Sequence, residues 1–289
     1  MKIYKKISVA ATIIAVATLS SCSDKGYWDE APLEAGLSFQ CSAYNETLSP
    51  GANEIVIPIQ RSVNTTDETV NITFTPGAKC PADITVPSQV TFAAGSNSAD
   101  LVIRISDATP PNTYSGTLKF DGDPSYGGIS ELTLNCPVNY VWVSLGVGGF
   151  IDAFVMDNAE DYYPVEILKA EGFDRYRVMA PYKEYYTTIG VESWGDWIAS
   201  TGPEYLDFWE VGDGKLSYNS YATGLLYDGP GGTAIGAYNW SAFGADSGYT
   251  GDLDMWYQPG LAVLSPVYFV NGVGGWGQQQ FAVQIVLPE

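Results

Sequence analysis

The sequence predicts an all-β protein made of two consecutive antiparallel β domains, and three observations predict it. Apolar residues recur at every second position through most of the chain, clusters of Gly, Pro, Asn and Asp punctuate them, and no long stretch carries a helical period. With 289 residues and 46% hydrophobic content the chain is long enough to fill two cores.

The first 21 residues stand apart from that pattern. They combine a basic start (Lys2, Lys5, Lys6) with an apolar run from Ile7 to Leu19. The run is shorter than the roughly 17–25 residues that cross a bilayer, but it suits a signal-peptide core. Leu19-Ser20-Ser21-Cys22 resembles the bacterial lipobox. That resemblance implies lipid attachment at Cys22, cleavage before it, and a membrane held through an N-terminal lipid. Each buried methylene contributes about 0.8 kcal/mol, so several acyl chains on one residue make the attachment effectively permanent. Residues 22–35 then read as the acylated cysteine and a tether. At about 3.3–3.6 Å per residue the tether reaches roughly 40 Å. Ser23-Asp24-Lys25 partly resembles the acidic signal that sends Bacteroidetes lipoproteins to the surface. It implies an outer-membrane protein facing the cell exterior; the alternative is an ordinary solvated linker on a periplasm-facing anchor.

Period two governs residues 36–140. Leu37, Phe39 and Cys41 alternate with small or polar residues, as do Ile55, Ile57 and Ile59, Val70, Ile72 and Phe74, Leu101, Ile103 and Ile105, and finally Leu132, Leu134, Cys136 and Val138. Turn-rich stretches such as SPGANE, TPGAKCPAD and DATPPN separate these sets. Strands so spaced predict an antiparallel sandwich of seven or eight strands. The succession IVIPIQRS, VNITFTP, ITVPSQVTFAAGSNSADLVIRI and NTYSGTLKF resembles Ig-like, Calx-beta-like domains of Bacteroidetes lipoproteins. Some Calx-beta domains bind calcium through loop carboxylates, and Asp121 and Asp123 form the one DxD pair in this half; solubility alone accounts for acidic residues in a turn.

If Cys22 carries lipid, Cys41, Cys80 and Cys136 remain, an odd number for an oxidising compartment. One bond with one thiol left over gives three pairings. Cys41 with Cys136 is the one expected if the terminal strands lie side by side; the alternative is three small buried hydrophobes.

Composition shifts at Val141. Residues 141–289 carry seven of the eight tryptophans, and blocks such as YPVEILKAEGFDRYRVMAPY alternate in strand period around turns. Trp142, Gly146, Asp152, Tyr176, Arg177, Pro181, Tyr182, Val286, Leu287 and Pro288 match, in order, a pattern similar to the C-terminal domain of Bacteroidetes surface lipoproteins of uncharacterised role. The resemblance implies a neighbourhood of glycan-uptake systems and no particular activity.

Charge and histidine content narrow the chemistry. The formal net charge is −20, and −23 once the three lysines of residues 1–21 are gone. That sign argues against nucleic acid or anionic lipid as a partner, since both demand Lys/Arg patches. The chain contains no histidine, which excludes Ser-His-Asp and Cys-His nucleophilic sites and every His-dependent metal centre. Paired carboxylates for glycoside hydrolysis remain, without a pattern that ranks them. The Gly-rich GVGG and GPGG stretches lack the Lys-Ser/Thr ending of a phosphate loop. No cofactor is implied, and a non-enzymatic protein is expected.

Aromatics carry the remaining signal. Ser193-Trp194-Gly195-Asp196-Trp197 places two tryptophans around a Gly-Asp pair, with Tyr205 and Trp209 following. Trp240, Trp256, Tyr257 and Trp276 lie in similar Gly/Asp/Asn-rich surroundings. Sugar rings stack on indole and phenol while carboxylates and amides take their hydroxyls, so these residues are the candidate ligand contacts; strand-borne aromatics also fill β cores. Two readings follow: a lipid-anchored surface protein that captures a polysaccharide or glycoconjugate for a neighbouring outer-membrane uptake complex, or a structural or adhesive lipoprotein that contacts a protein partner. Either requires the anchor. Cys22→Ala is expected to move the protein out of the membrane pellet into the soluble fraction, and a variant still pelleting at high salt contradicts the lipobox reading.

Overall fold

The computed structural model describes residues 36–62, 64–121, 128–156, 161–190, 192–193, 195–243, 247–249, 255–276 and 281–288. Cys22, the signal segment, the tether, Asp123 and Trp194 lie outside the described residues. The chain divides into two compact units that meet in sequence between Tyr140 and Val141.

Among its described residues the first unit carries nine strands: β1 (Leu37–Phe39), β2 (Ala43–Asn45), β3 (Glu54–Arg61), β4 (Glu68–Pro76), β5 (Ile84–Thr85), β6 (Gln89–Phe92), β7 (Ser98–Ile105), β8 (Thr113–Phe120) and β9 (Glu131–Pro137). They form two sheets, ordered β1-β3-β7-β5 and β2-β9-β8-β4-β6. Alternation explains why they pack. Ile55, Ile57 and Ile59 of β3 and Leu101, Ile103 and Ile105 of β7 are buried, as are Leu118 and Phe120 of β8 and Leu132, Leu134 and Cys136 of β9. Phe39 and Phe120, from opposite sheets, stack with centroids 4.2 Å apart. The buried guanidinium of Arg61 donates to the carbonyls of Ala93 (2.8 Å) and Ser96 (3.0 Å) and lies over Phe92, fixing the β6–β7 connection.

Two expectations for this unit change. The sandwich is not purely antiparallel: β2 runs parallel to β9, with Ala43 opposite Thr133 and Asn45 opposite Asn135. The chain passes from β1 in one sheet to β2 in the other across residues 40–42 with no hairpin to reverse it. The same crossing corrects the Cys41–Cys136 pairing, because the two residues are not joined by a disulfide. Cys41 falls two residues before the first parallel pair and Cys136 one residue beyond the last, so the register holds them apart along the strand direction.

The second unit opens with β10 (Trp142–Asp152), β11 (Tyr163–Ala170) and β12 (Arg175–Met179), then one short helix, α1 (Lys183–Ile189). It continues with β13 (Glu192–Ser193), β14 (Asp196–Ile198), β15 (Tyr205–Gly212), β16 (Lys215–Tyr218), β17 (Tyr221–Tyr227), β18 (Thr233–Tyr238), a 3-10 turn (Trp240–Ala242), β19 (Trp256–Gln258), β20 (Leu261–Leu264), β21 (Val267–Val270), β22 (Gly274–Trp276) and β23 (Val283–Val286). Eight of these, β10-β11-β12-β15-β16-β19-β20-β23, close a barrel; the other six form a sheet ordered β13-β14-β17-β18-β21-β22. The barrel and the sheet share one core, in which Phe150, Val178 and Phe208 of the barrel join Ile235 and Tyr268 of the sheet and Tyr185 and Tyr186 of α1. Among the described residues no helix is long and apolar enough to cross a membrane.

Closure depends on β10 meeting β23, from Gly149 opposite Val286 to Asp152 opposite Val283. The chains come close enough there that a Cβ on Gly148 would collide with the Val286 carbonyl oxygen and with Cδ1 of Ile167. Gly148→Val is therefore expected to lower stability by about 1–3 kcal/mol, as overpacking does. Val147→Ala, at a neighbouring exposed position, should melt like the wild type in thermal denaturation. Equal melting of the two variants would contradict this closure.

Candidate functional site

Asp152 ends β10 in complete burial. Its Oδ1 accepts hydrogen bonds from the amides of Phe154 (2.9 Å) and Val155 (3.2 Å) and from the Tyr268 hydroxyl (2.6 Å); its Oδ2 accepts from the Tyr182 hydroxyl (2.6 Å). The Tyr182 hydroxyl also lies 3.2 Å from that of Tyr221. Three hydroxyls thus ring one carboxyl, two in direct contact with it and one through Tyr182. Burial pushes the three tyrosine hydroxyls well above their ordinary pKa, and the Asp152 carboxylate pushes them further, so they stay protonated. Burial raises the Asp152 pKa, opposed by the hydroxyl and amide donors, and no ion pair involves it among the described residues.

A second constellation lies on the other phase of the barrel wall. Tyr176 and Val178 of β12 and Leu206 and Phe208 of β15 point into the core. Their neighbours pair across the outer face, Arg175 with Trp209, Arg177 with Asp207 and Met179 with Tyr205. Arg177 meets Asp207 through two bonds, Nε to Oδ1 at 2.7 Å and Nη2 to Oδ2 at 3.0 Å. The same guanidinium stacks 3.6 Å from the Tyr205 ring centre and 4.2 Å from that of Trp142, while Arg175 lies 4.2 Å over Trp209 and 3.3 Å from Asp207 Oδ2. A planar cation between two rings holds Tyr205 in one orientation although the residue is 42% exposed.

Tyr205 and Tyr221 line one open groove of about 410 Å³, where the start of β15 meets the β16–β17 turn. Glu204, Asp207, Asn219 and Ser220 supply its polar groups. Tyr221 is part-buried, with its hydroxyl inside the ring around Asp152. Tyr205 is thus held from behind by Arg177 and Asp207, while Tyr221 packs against the core with its hydroxyl tied to that of Tyr182. An aromatic wall beside carboxylate, amide and hydroxyl groups matches a polyol with one apolar face.

The residues singled out in the sequence do not gather in one place. Of them, Tyr205 lines the groove. Trp209 lies beneath Arg175, and Trp240, Tyr257 and Trp276 pack against the core of the second unit. Tyr257 also shares a 3.4 Å hydroxyl contact with Tyr176, which with burial raises its pKa to about 12. Trp197 is part-buried on β14 opposite Glu192 and Leu226. Asp196 beside it has a raised pKa from partial burial, reinforced by the charge of Asp228 and opposed by a backbone bond there. Trp256 is 40% exposed on β19. Tyr221, Glu204 and Asn219 escaped the sequence reading; the signal for them is Tyr218-Asn219-Ser220-Tyr221, a polar turn between two tyrosines.

The ring has a sign that pH reveals. The Asp152 pKa is raised above its unfolded value near about 3.9, so its stabilising contribution is full below that pH and is lost as pH climbs through the folded pKa. Asp152→Asn keeps one carbonyl acceptor and offers Tyr182 a donor, as a neutral acid would. Its melting temperature should stay within a few degrees of wild type at neutral pH and depend less on pH. Asp152→Ala orphans the Phe154 and Val155 amides at about 1–3 kcal/mol each. If the Asn variant is as damaged as the Ala variant, the ring is held by the ionised acid instead.

No family model matches this sequence, and no curated protein matches it either. Among the solved structures similar to it at low level are the following two. CBD12 from CALX1.2 aligns with a TM-score of 0.31 and 10% identity, over 50% of this chain and 78% of its own. An auxiliary nutrient binding protein from Bacteroides thetaiotaomicron VPI-5482 aligns with a TM-score of 0.32 and 10% identity, over 86% of this chain and 91% of its own.

Proposed function

We propose that this chain is a binding protein, anchored by lipid at Cys22 and facing the cell exterior, that holds a glycan for a neighbouring uptake system. The groove of Tyr205 and Tyr221 carries the reading. Its Tyr205 wall is aromatic and pre-set, so a sugar face stacks without ordering that side chain first. Its exposed polar groups, Glu204, Asn219 and Ser220, reach hydroxyls at the edge of a stacked ring. A ligand-capture role needs neither a nucleophile nor a proton shuttle, in keeping with a chain that lacks histidine.

One observation favours the second reading, a structural or adhesive module. Val143, Leu145 and Val147 stand exposed along β10, and Val147, opposite the exposed Glu166 on the outer face, offers apolar surface of the kind that a protein partner covers. The two readings separate experimentally. Affinity electrophoresis through soluble polysaccharides should retard the wild type, and Tyr205→Ala should reduce that retardation at least about fivefold, the equivalent of roughly 1 kcal/mol of stacking. Val147→Glu should leave it unchanged. Absence of retardation by any plant, host or microbial polysaccharide contradicts the glycan reading and favours the partner surface.

A further inference from the structure

We infer that the groove selects uncharged sugars and that Glu204 is its specificity-determining residue. The inference rests on the glycan-binding reading and adds the class of glycan. Glu204 is exposed where the chain enters β15, and its carboxylate has no partner among the described residues. Asp207, the other acid of the lining, is in a different state: Arg175 and Arg177 occupy both its oxygens. Glu204 therefore stands as an unspent acceptor beside the Tyr205 ring.

The lining contains no lysine or arginine. The two guanidiniums nearest to it are committed to Asp207 and stacked against Trp142, Trp209 and Tyr205, so they offer an incoming anion little. Residues 141–289 hold five basic side chains against nineteen acidic ones, which leaves the wider field negative as well. A uronate carboxylate or a sulfate entering the groove meets Glu204 without a cation to offset the repulsion, whereas sugar hydroxyls find an acceptor that wants their protons. Asn219 adds a side-chain amide with no partner among the described residues. The Ser220 hydroxyl accepts from the Asn239 amide at 2.9 Å and keeps its own proton to donate. Tyr221 packs against the core and keeps its hydroxyl there, tied to that of Tyr182. The resulting set, one charged acceptor, one amide, one hydroxyl and aromatic carbon, fits the hydroxyl edge and C–H face of a neutral hexose or pentose.

The test is affinity electrophoresis of the full chain through a neutral panel (xyloglucan, galactan, glucomannan, mannan, dextran) and a charged panel (polygalacturonate, alginate, chondroitin sulfate), with melting curves for every variant. The wild type should bind at least one neutral member at least about tenfold more tightly than any charged one, a difference of about 1.4 kcal/mol. Glu204→Ala should weaken the neutral ligand at least about fivefold without lowering the melting temperature. Glu204→Gln keeps an acceptor and removes the charge, so it should retain the neutral ligand and narrow the gap to the charged panel. Charged members bound as tightly as neutral ones by the wild type overturn this inference and leave glycan binding standing. An unchanged preference in Glu204→Gln removes Glu204 as its determinant. Silence across both panels overturns the glycan reading itself, and this inference with it.

Discussion

A carboxyl buried without a cation is the constraint on which the second unit depends. Asp152 sits where β10 runs out, inside a core shared by barrel and sheet, and every hydrogen-bonding site on it must be met from within. Two amides of the following turn, one hydroxyl from the segment leading into α1 and one from β21 meet them. Those donors lie up to 116 residues from Asp152 in the chain, so satisfying one carboxyl ties the barrel, the segment leading into the helix and the six-stranded sheet to one another.

The same ring reaches the surface through Tyr221. Tyr221 has its hydroxyl fixed inside the protein beside the groove, and Tyr205 turns an exposed ring to it, stacked on a guanidinium that Asp207 holds in plane. Polar interactions thus supply rigidity here, and the aromatic surfaces they hold are what remains for a ligand. Loops carrying free aromatics would have to lose rotamer freedom on binding, a cost of about 0.5–1.5 kcal/mol for each immobilised side chain that these walls have already met in folding.

Much of the fold was legible because period two is local. The alternations Ile55, Ile57, Ile59 and Leu101, Ile103, Ile105 report strands directly, since each requires only that one face of the strand meet a core. What depends on distant pairing was not legible. The parallel contact of β2 with β9 arises from a sheet crossing that no residue announces, and barrel closure joins Gly149 to Val286 across nearly the whole second unit. The short helix α1 hides in KEYYTTI, whose buried Tyr185 and Tyr186 look from sequence like part of an aromatic ligand surface. The site followed the same rule. Tyr205 could be picked as an aromatic among polar residues, but Tyr221 acquires its role from Tyr182 and Asp152, which lie 39 and 69 positions earlier in the chain. Tryptophans drew attention by rarity, yet Trp240 and Trp276 spend their area on the core.

Hydrogen exchange measured by mass spectrometry, on the full chain with and without a polysaccharide that retards it, tests the account most directly, because it locates the bound ligand without altering any residue. The account predicts added protection in peptides covering residues 203–207 and 219–222, the two segments that build the groove. Protection centred instead on Trp256 or on the exposed part of β10, with those two segments unchanged, would contradict it.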